Sequence, residues 1–119
     1  MSTRCQVIVK DKYDELWFYR HCDGYPDGVK ETLEKFLLLV KEGKIRNNPM
    51  QAAGWLIIIG HNEYNVSDDP TDWKVGAYEP CTPETHGDIE YLYTIDLDKL
   101  KITYKDCYKG KKHTLVDLS

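Results

Sequence analysis

A chain of 119 residues has room for one core and not two, since about 100–150 residues is the commonest size of a domain. Its 41% apolar content, with nine tyrosines and three tryptophans, is enough to build that core, and charged residues at 30% are interleaved too evenly for a disordered chain. A formal charge of −4, with no basic run longer than the Lys-Gly-Lys-Lys turn at 109–112, excludes a broad nucleic-acid footprint.

Met1-Ser2-Thr3-Arg4 leads directly into a strand pattern, with no apolar signal region and no apolar stretch of about 18 residues, so a cytoplasmic protein without a membrane segment is expected. The four cysteines, Cys5, Cys22, Cys81 and Cys107, are far apart and are expected to be reduced thiols.

Thr3–Lys10 alternates, with Cys5, Val7 and Val9 on one face, and Leu16–His21 is a second short aromatic run. With the polar connector Asp11–Glu15 between them, the two predict a β-hairpin. From Val29 the period becomes helical: Val29, Leu33, Phe36, Leu37 and Val40 form one stripe, and Gly43 is a suitable stop. Asn48-Pro49-Met50-Gln51 has the grammar of a second helix start, with Asn48 as cap and Pro49 at the first helical position. The body of this segment, "QAAGWLIIIGH", is apolar on nearly every side. Periodicity alone does not separate a buried helix from a strand at 56–59, and the start signals and length favour helix.

After the polar loop "NVSDDPTDW" at 65–73, strands are predicted over Lys74–Cys81, Ile89–Leu97, Leu100–Tyr108 and His113–Leu118. Ile89, Tyr91, Tyr93, Ile95 and Leu97 share one face of their strand, as they do when helices cover one side of a sheet. The expectation is a single α+β domain over residues 1–119. It has a mostly antiparallel sheet of five or six strands, an N-terminal hairpin joined to a C-terminal meander, and two helices on one face.

The loop "RHCDGYPDG" at 20–28 gathers Arg20, His21, Asp23 and Tyr25 just before the first helix. Asp23, Gly24 and Pro26 form turns, and Asp27 is placed to cap the helix starting at Gly28–Val29. Arg20 and His21, adjacent at a strand end, must point to opposite faces. Free N–H groups at the helix start, with Arg20 beside them, would suit a phosphate or carboxylate. The second polar cluster, "CTPETHGDIEYLY" at 81–93, brings His86 and Asp88 to another strand end. If both ends lie on one edge of the sheet, His21, Asp23, His86 and Asp88 meet, an arrangement that serves proton transfer. A metal centre lacks a close-spaced ligand pair, since "GHNEY" at 60–64 is not the His-Glu-x-x-His pattern, and no cofactor fingerprint is present. Tyr78, Tyr91, Tyr93, Tyr104 and Trp73 are either an aromatic stacking platform or plain cross-strand packing.

Together "MSTRC", "YRHCDGYPDGV" at 19–29 and "HGDIEYLY" at 86–93 resemble a family of small bacterial, archaeal and phage proteins with no established activity. The resemblance implies that Arg4, Arg20, His21, Asp23, Tyr25, His86 and Asp88 belong together, and its mobile-element background implies a role against host defence. The resulting expectation is a small binding protein in which Arg20, His21, Asp23, Tyr25, His86, Asp88 and Tyr91 line a pocket for an anionic, nucleotide-like ligand. The alternatives are a small hydrolase or phosphodiesterase using His21 and His86 as acid and base, with Arg20 stabilising charge, and a module that docks on a host protein. An exposed edge strand makes a homodimer the default assembly.

Overall fold

The structure is a computed structural model and describes residues 3–64, 67–72 and 77–119. In chain order it contains β1 (Cys5–Lys10), β2 (Glu15–Arg20), α1 (Pro26–Lys41), α2 (Pro49–Tyr64), β3 (Glu79–Cys81), β4 (Tyr91–Asp96), β5 (Lys101–Asp106) and β6 (Lys112–Asp117). The six strands form one sheet in the order β3-β2-β1-β4-β5-β6. Every neighbouring pair is antiparallel except β1 with β4, which run parallel with Val7 opposite Tyr93 and Val9 opposite Ile95. The expected α+β class holds, and the parallel pair makes the sheet mixed. None of the helices described is long and apolar enough to cross a membrane.

The alternation of β1 decides which side of the sheet the helices cover. Cys5, Val7 and Val9 are fully buried and share their face with Phe18, Tyr93, Ile95 and Ile102 across the register. Against that face α1 lays Val29, Leu33, Phe36, Leu37 and Val40, and α2 lays Ala52, Ala53 and Leu56. Side chains of this kind contribute about 1.5–3 kcal/mol each when withdrawn from water, so this one layer holds most of the apolar stabilisation.

The helix ends follow from local chemistry. Helix α1 begins two residues before the sequence expectation, with Pro26 in its first turn and Tyr25 at the cap position without a side-chain capping bond. Asp27 therefore lies inside the first turn, where its charge complements the positive helix end, and is not the cap. The helix stops where Gly43 turns left-handed at φ +78°, with Gly43 N–H donating to Val40 O and Lys44 N–H to Leu39 O. At the start of α2 the Asn48 side chain accepts the Met50 N–H at 2.9 Å, as the sequence predicts, and the segment 56–59 is helical. Of the strand expected over 74–81 only Glu79–Cys81 is a strand among the described residues; 74–76, like Trp73, lie outside them.

Candidate functional site

Residues 21–25 are held in place from both sides. Gly24 N–H donates to Thr3 O, and Gly24 O accepts the buried Tyr93 hydroxyl at 2.7 Å. A Cβ at Gly24 would stand 2.8 Å from Cβ of Cys5 and 2.9 Å from Thr3 O, so only glycine lets the loop lie this close to β1. Asp23 before it takes a left-handed φ of +57°, which aspartate tolerates better than most residues. The turn is thus fixed by the fold, and it delivers Asp23 and Tyr25 to a definite place.

That place is a cavity of about 510 Å³ between the first turns of α1 and the last turns of α2. Its charged walls are Arg20, Asp23, Asp27, Glu31, Lys35 and Glu63. Arg20 ends β2 on the helix-facing side and is 2% exposed. Its Nε donates to Cys22 O at 2.8 Å, its Nη1 meets Glu63 Oε2 at 3.1 Å, and its guanidinium carbon lies 5.0 Å from the centre of the Tyr78 ring. Partners of different kinds fix one planar fork, a task for which lysine has the wrong shape. The Glu63 side chain is 25% exposed, and burial holds its pKa above the usual carboxylate value. Arg20 opposes that shift and the charges of Glu31 and Asp23 add to it.

Two features of the cavity differ from the sequence expectation of an anion site. The N–H groups at the start of α1 are largely used: Pro26 has none, and Gly28 and Val29 both donate to Tyr25 O. Among the described residues the carboxylates of the wall also outnumber its cations by four to two.

His21 and His86 are elsewhere. Strand alternation sends Tyr19 to the face away from the helices, and His21 follows it, its Nδ1 2.9 Å from the Tyr19 hydroxyl. The His86 ring lies 5.3 Å from the Tyr19 ring, so the two histidines do share a neighbourhood. Asp88 beside them is bound to Arg4 at 3.1 Å. This cluster is anchored by Gln6, which is fully buried although it faces away from the core helices. Its Nε2 donates to Glu84 O at 2.8 Å and its Oε1 accepts His86 N–H at 2.9 Å, fastening the 82–88 segment across the outer face. Burial, with Asp88 and Glu79 adding and Arg4 opposing, keeps the Tyr19 hydroxyl protonated to higher pH than usual, which makes it a poor general base.

The expected site therefore divides along the sheet. Arg20, Asp23 and Tyr25 belong to the helix-side cavity, and His21, His86 and Asp88 to the outer face around Tyr19, on the other side of the sheet from Arg20. Tyr91 joins neither group: it belongs to a row with Tyr93, Tyr104 and His113 whose ring centres are 5.0–6.2 Å apart. Tyr104 meets the other three rings and Tyr93 is fully buried, so the row packs across strands and does not present an open stacking platform. Among the described residues no group of three His, Cys, Asp or Glu side chains converges as a metal ion requires. Sequence reasoning missed Glu63, Glu31, Lys35, Gln6 and Tyr19. Gln6 had a signal, an amide in the middle of a β-branched strand, whereas Glu63 gave none before the two helices were placed together.

Comparison with family models, with curated proteins and with solved structures gave no match. The side chains of the cavity are therefore the guide to its ligand.

Proposed function

We propose that this chain is a small binding protein whose ligand carries a cationic amine or guanidinium group and occupies the cavity between α1 and α2. The observation that supports this reading is the charge of the walls, where Asp23, Asp27, Glu31 and Glu63 face Arg20 and Lys35, and Arg20 is already matched by Glu63. A cavity of about 510 Å³ falls within the range that small-molecule sites occupy. A nucleotide-like anion, the ligand expected from sequence, would have to displace Glu63 from Arg20 and approach three further carboxylates. A role against host defence, implied by the family resemblance, would then consist of sequestering such a ligand.

The test is calorimetric titration with spermidine, with arginine amide and with a nucleoside diphosphate. The cations are expected to bind, and Glu31→Gln and Asp27→Asn each to weaken them by about tenfold, the cost of one partly desolvated charge contact. Binding of the diphosphate alone, lost in Arg20→Met, would restore the anionic reading. The hydrolase alternative rests on the shared neighbourhood of His21 and His86 around Tyr19. A turnover of any phosphodiester that His86→Ala abolishes, at unchanged melting temperature, would favour it.

A further inference from the structure

Helix α2 contains two glycines, and packing against the described residues explains one of them and not the other. A Cβ at Gly60 would collide with the Tyr78 ring at Cδ2, so that position must stay bare for the helix to lie on the ring. Gly54 is exposed, and a Cβ built on it meets nothing within 4 Å. A glycine inside a helix weakens it relative to alanine, and no contact with the described residues asks for one here. The same face carries Met50 at 56% exposure and Trp55 and Ile58 at 48% each. Met50, Gly54 and Ile58 follow one another at i, i+4 and i+8, one inclined ridge of the helix surface, with the exposed Gln51 beside it. Between Pro49 and Asn62 there is no Lys, Arg, Asp or Glu, in a chain that is 30% charged.

We propose that this face is a self-association surface, on which two copies pack α2 against α2 about a two-fold axis passing near Gly54. The pairing of exposed apolar side chains with a hollow on the same surface favours a second copy, and the charge pattern permits it. In a two-fold contact the same patch is used twice, so any charge near the axis meets its own sign. For a chain of net charge −4, the uncharged stretch of α2 is one that two copies can bring together at the axis without repulsion, with Lys44 left at the rim of the contact. Gly54 at the crossing lets the two backbones approach closely. Beside it, a hollow of about 330 Å³ between Leu39, Ile45, Trp55 and Ile58, with Lys44 and Asn62 at its polar rim, is open to receive an apolar side chain such as Ile58 or Trp55 from the other copy.

Sedimentation velocity over a concentration series, run on the full chain, on Ile58→Glu and on Gly54→Leu, tests this. The wild-type chain is expected to be a dimer in the micromolar range. Ile58→Glu places a charge in the contact twice, and its dissociation constant should rise at least about 100-fold. Gly54→Leu should raise it as well, by holding the helices apart. Both positions are exposed, so circular dichroism should show wild-type folding for each variant. A wild-type chain that stays monomeric overturns the proposal. So does a dimer that neither substitution weakens, which would be using another face, such as the open edge of β6.

Discussion

Arg20 is the side chain on which core and cavity both depend. Replacing it with Met would leave the Glu63 carboxylate mostly buried beside Glu31 and Asp23, with its cation gone. That should cost about 2–3 kcal/mol in urea unfolding, and Arg20→Lys should recover only part of it because the contacts to Cys22 O and the Tyr78 ring need the fork. Glu63 gives the pH dependence a definite sign. Its folded pKa is raised, so the folded state holds a proton that the unfolded state has released, and stability falls as pH rises from the ordinary carboxylate value of 4.5 through the raised one. Asp11, whose pKa is lowered first by the Asp14 N–H and then by that of Tyr13, acts oppositely, its contribution being lost as pH falls below 3.8. Thermal melts at intervals between pH 4.5 and 7.5 should therefore decline with pH in the wild-type chain and decline less in Glu63→Gln. The thiols are a second check at this level. Cys5 is fully buried and its pKa is pushed up to about 12 by that burial, against a smaller opposing effect from Arg20, whereas Cys22 is exposed. Iodoacetamide at neutral pH should label Cys22 readily and leave Cys5 unreacted until the protein unfolds; equal rates would mean the β1 face is open.

Helix α2 separates its two glycines by environment, and the substitution to alanine should have opposite effects at the two. Gly60→Ala forces the Tyr78 ring aside and should lower monomer stability by about 1–3 kcal/mol. Gly54→Ala gains helix propensity in open space and should raise it by about 0.5–1 kcal/mol, both measured by thermal denaturation at a dilution where only monomer is present. Tyr93→Phe should cost about 1 kcal/mol, since it leaves Gly24 O without its buried partner. These elements were readable from sequence to different depths. The hairpin, the stripe of α1 and the start of α2 are local patterns, each specified by residues within one or two turns, and the structure has them all. The parallel pairing of β1 with β4 joins residues 5–10 to 91–96, and no local signal carries a partner choice over that distance. The same limit divided the expected site. Adjacent positions 20 and 21 predict opposite faces, which holds, but the residues that meet Arg20 inside come from α2, and those that meet His21 outside come from Tyr19 and the 82–88 segment.

The described residues have a Cα radius of gyration of 13.5 Å, the value of about 13.5 Å that one folded domain of this length should have. Within that body β1 is flanked on both sides and packed on one face by helices, while β3 is a three-residue edge strand and β6 forms the other edge. Native-state hydrogen exchange should accordingly find the amides of Val7 and Val9 opening only with global unfolding, and those of β3 at much lower cost. Exchange of β1 as fast as that of β3 would contradict the strand order. The central position of β1 has a further consequence while the chain is being made. A ribosome that has delivered the hairpin and both helices has released a strand whose second edge, along Val7, Ile8 and Val9, stays bare until residues 91–96 emerge, a delay of about a few seconds at ordinary synthesis rates. Nascent chains stalled or truncated before β4 should thus be the aggregation-prone and chaperone-dependent form of this protein, however stable the finished molecule is.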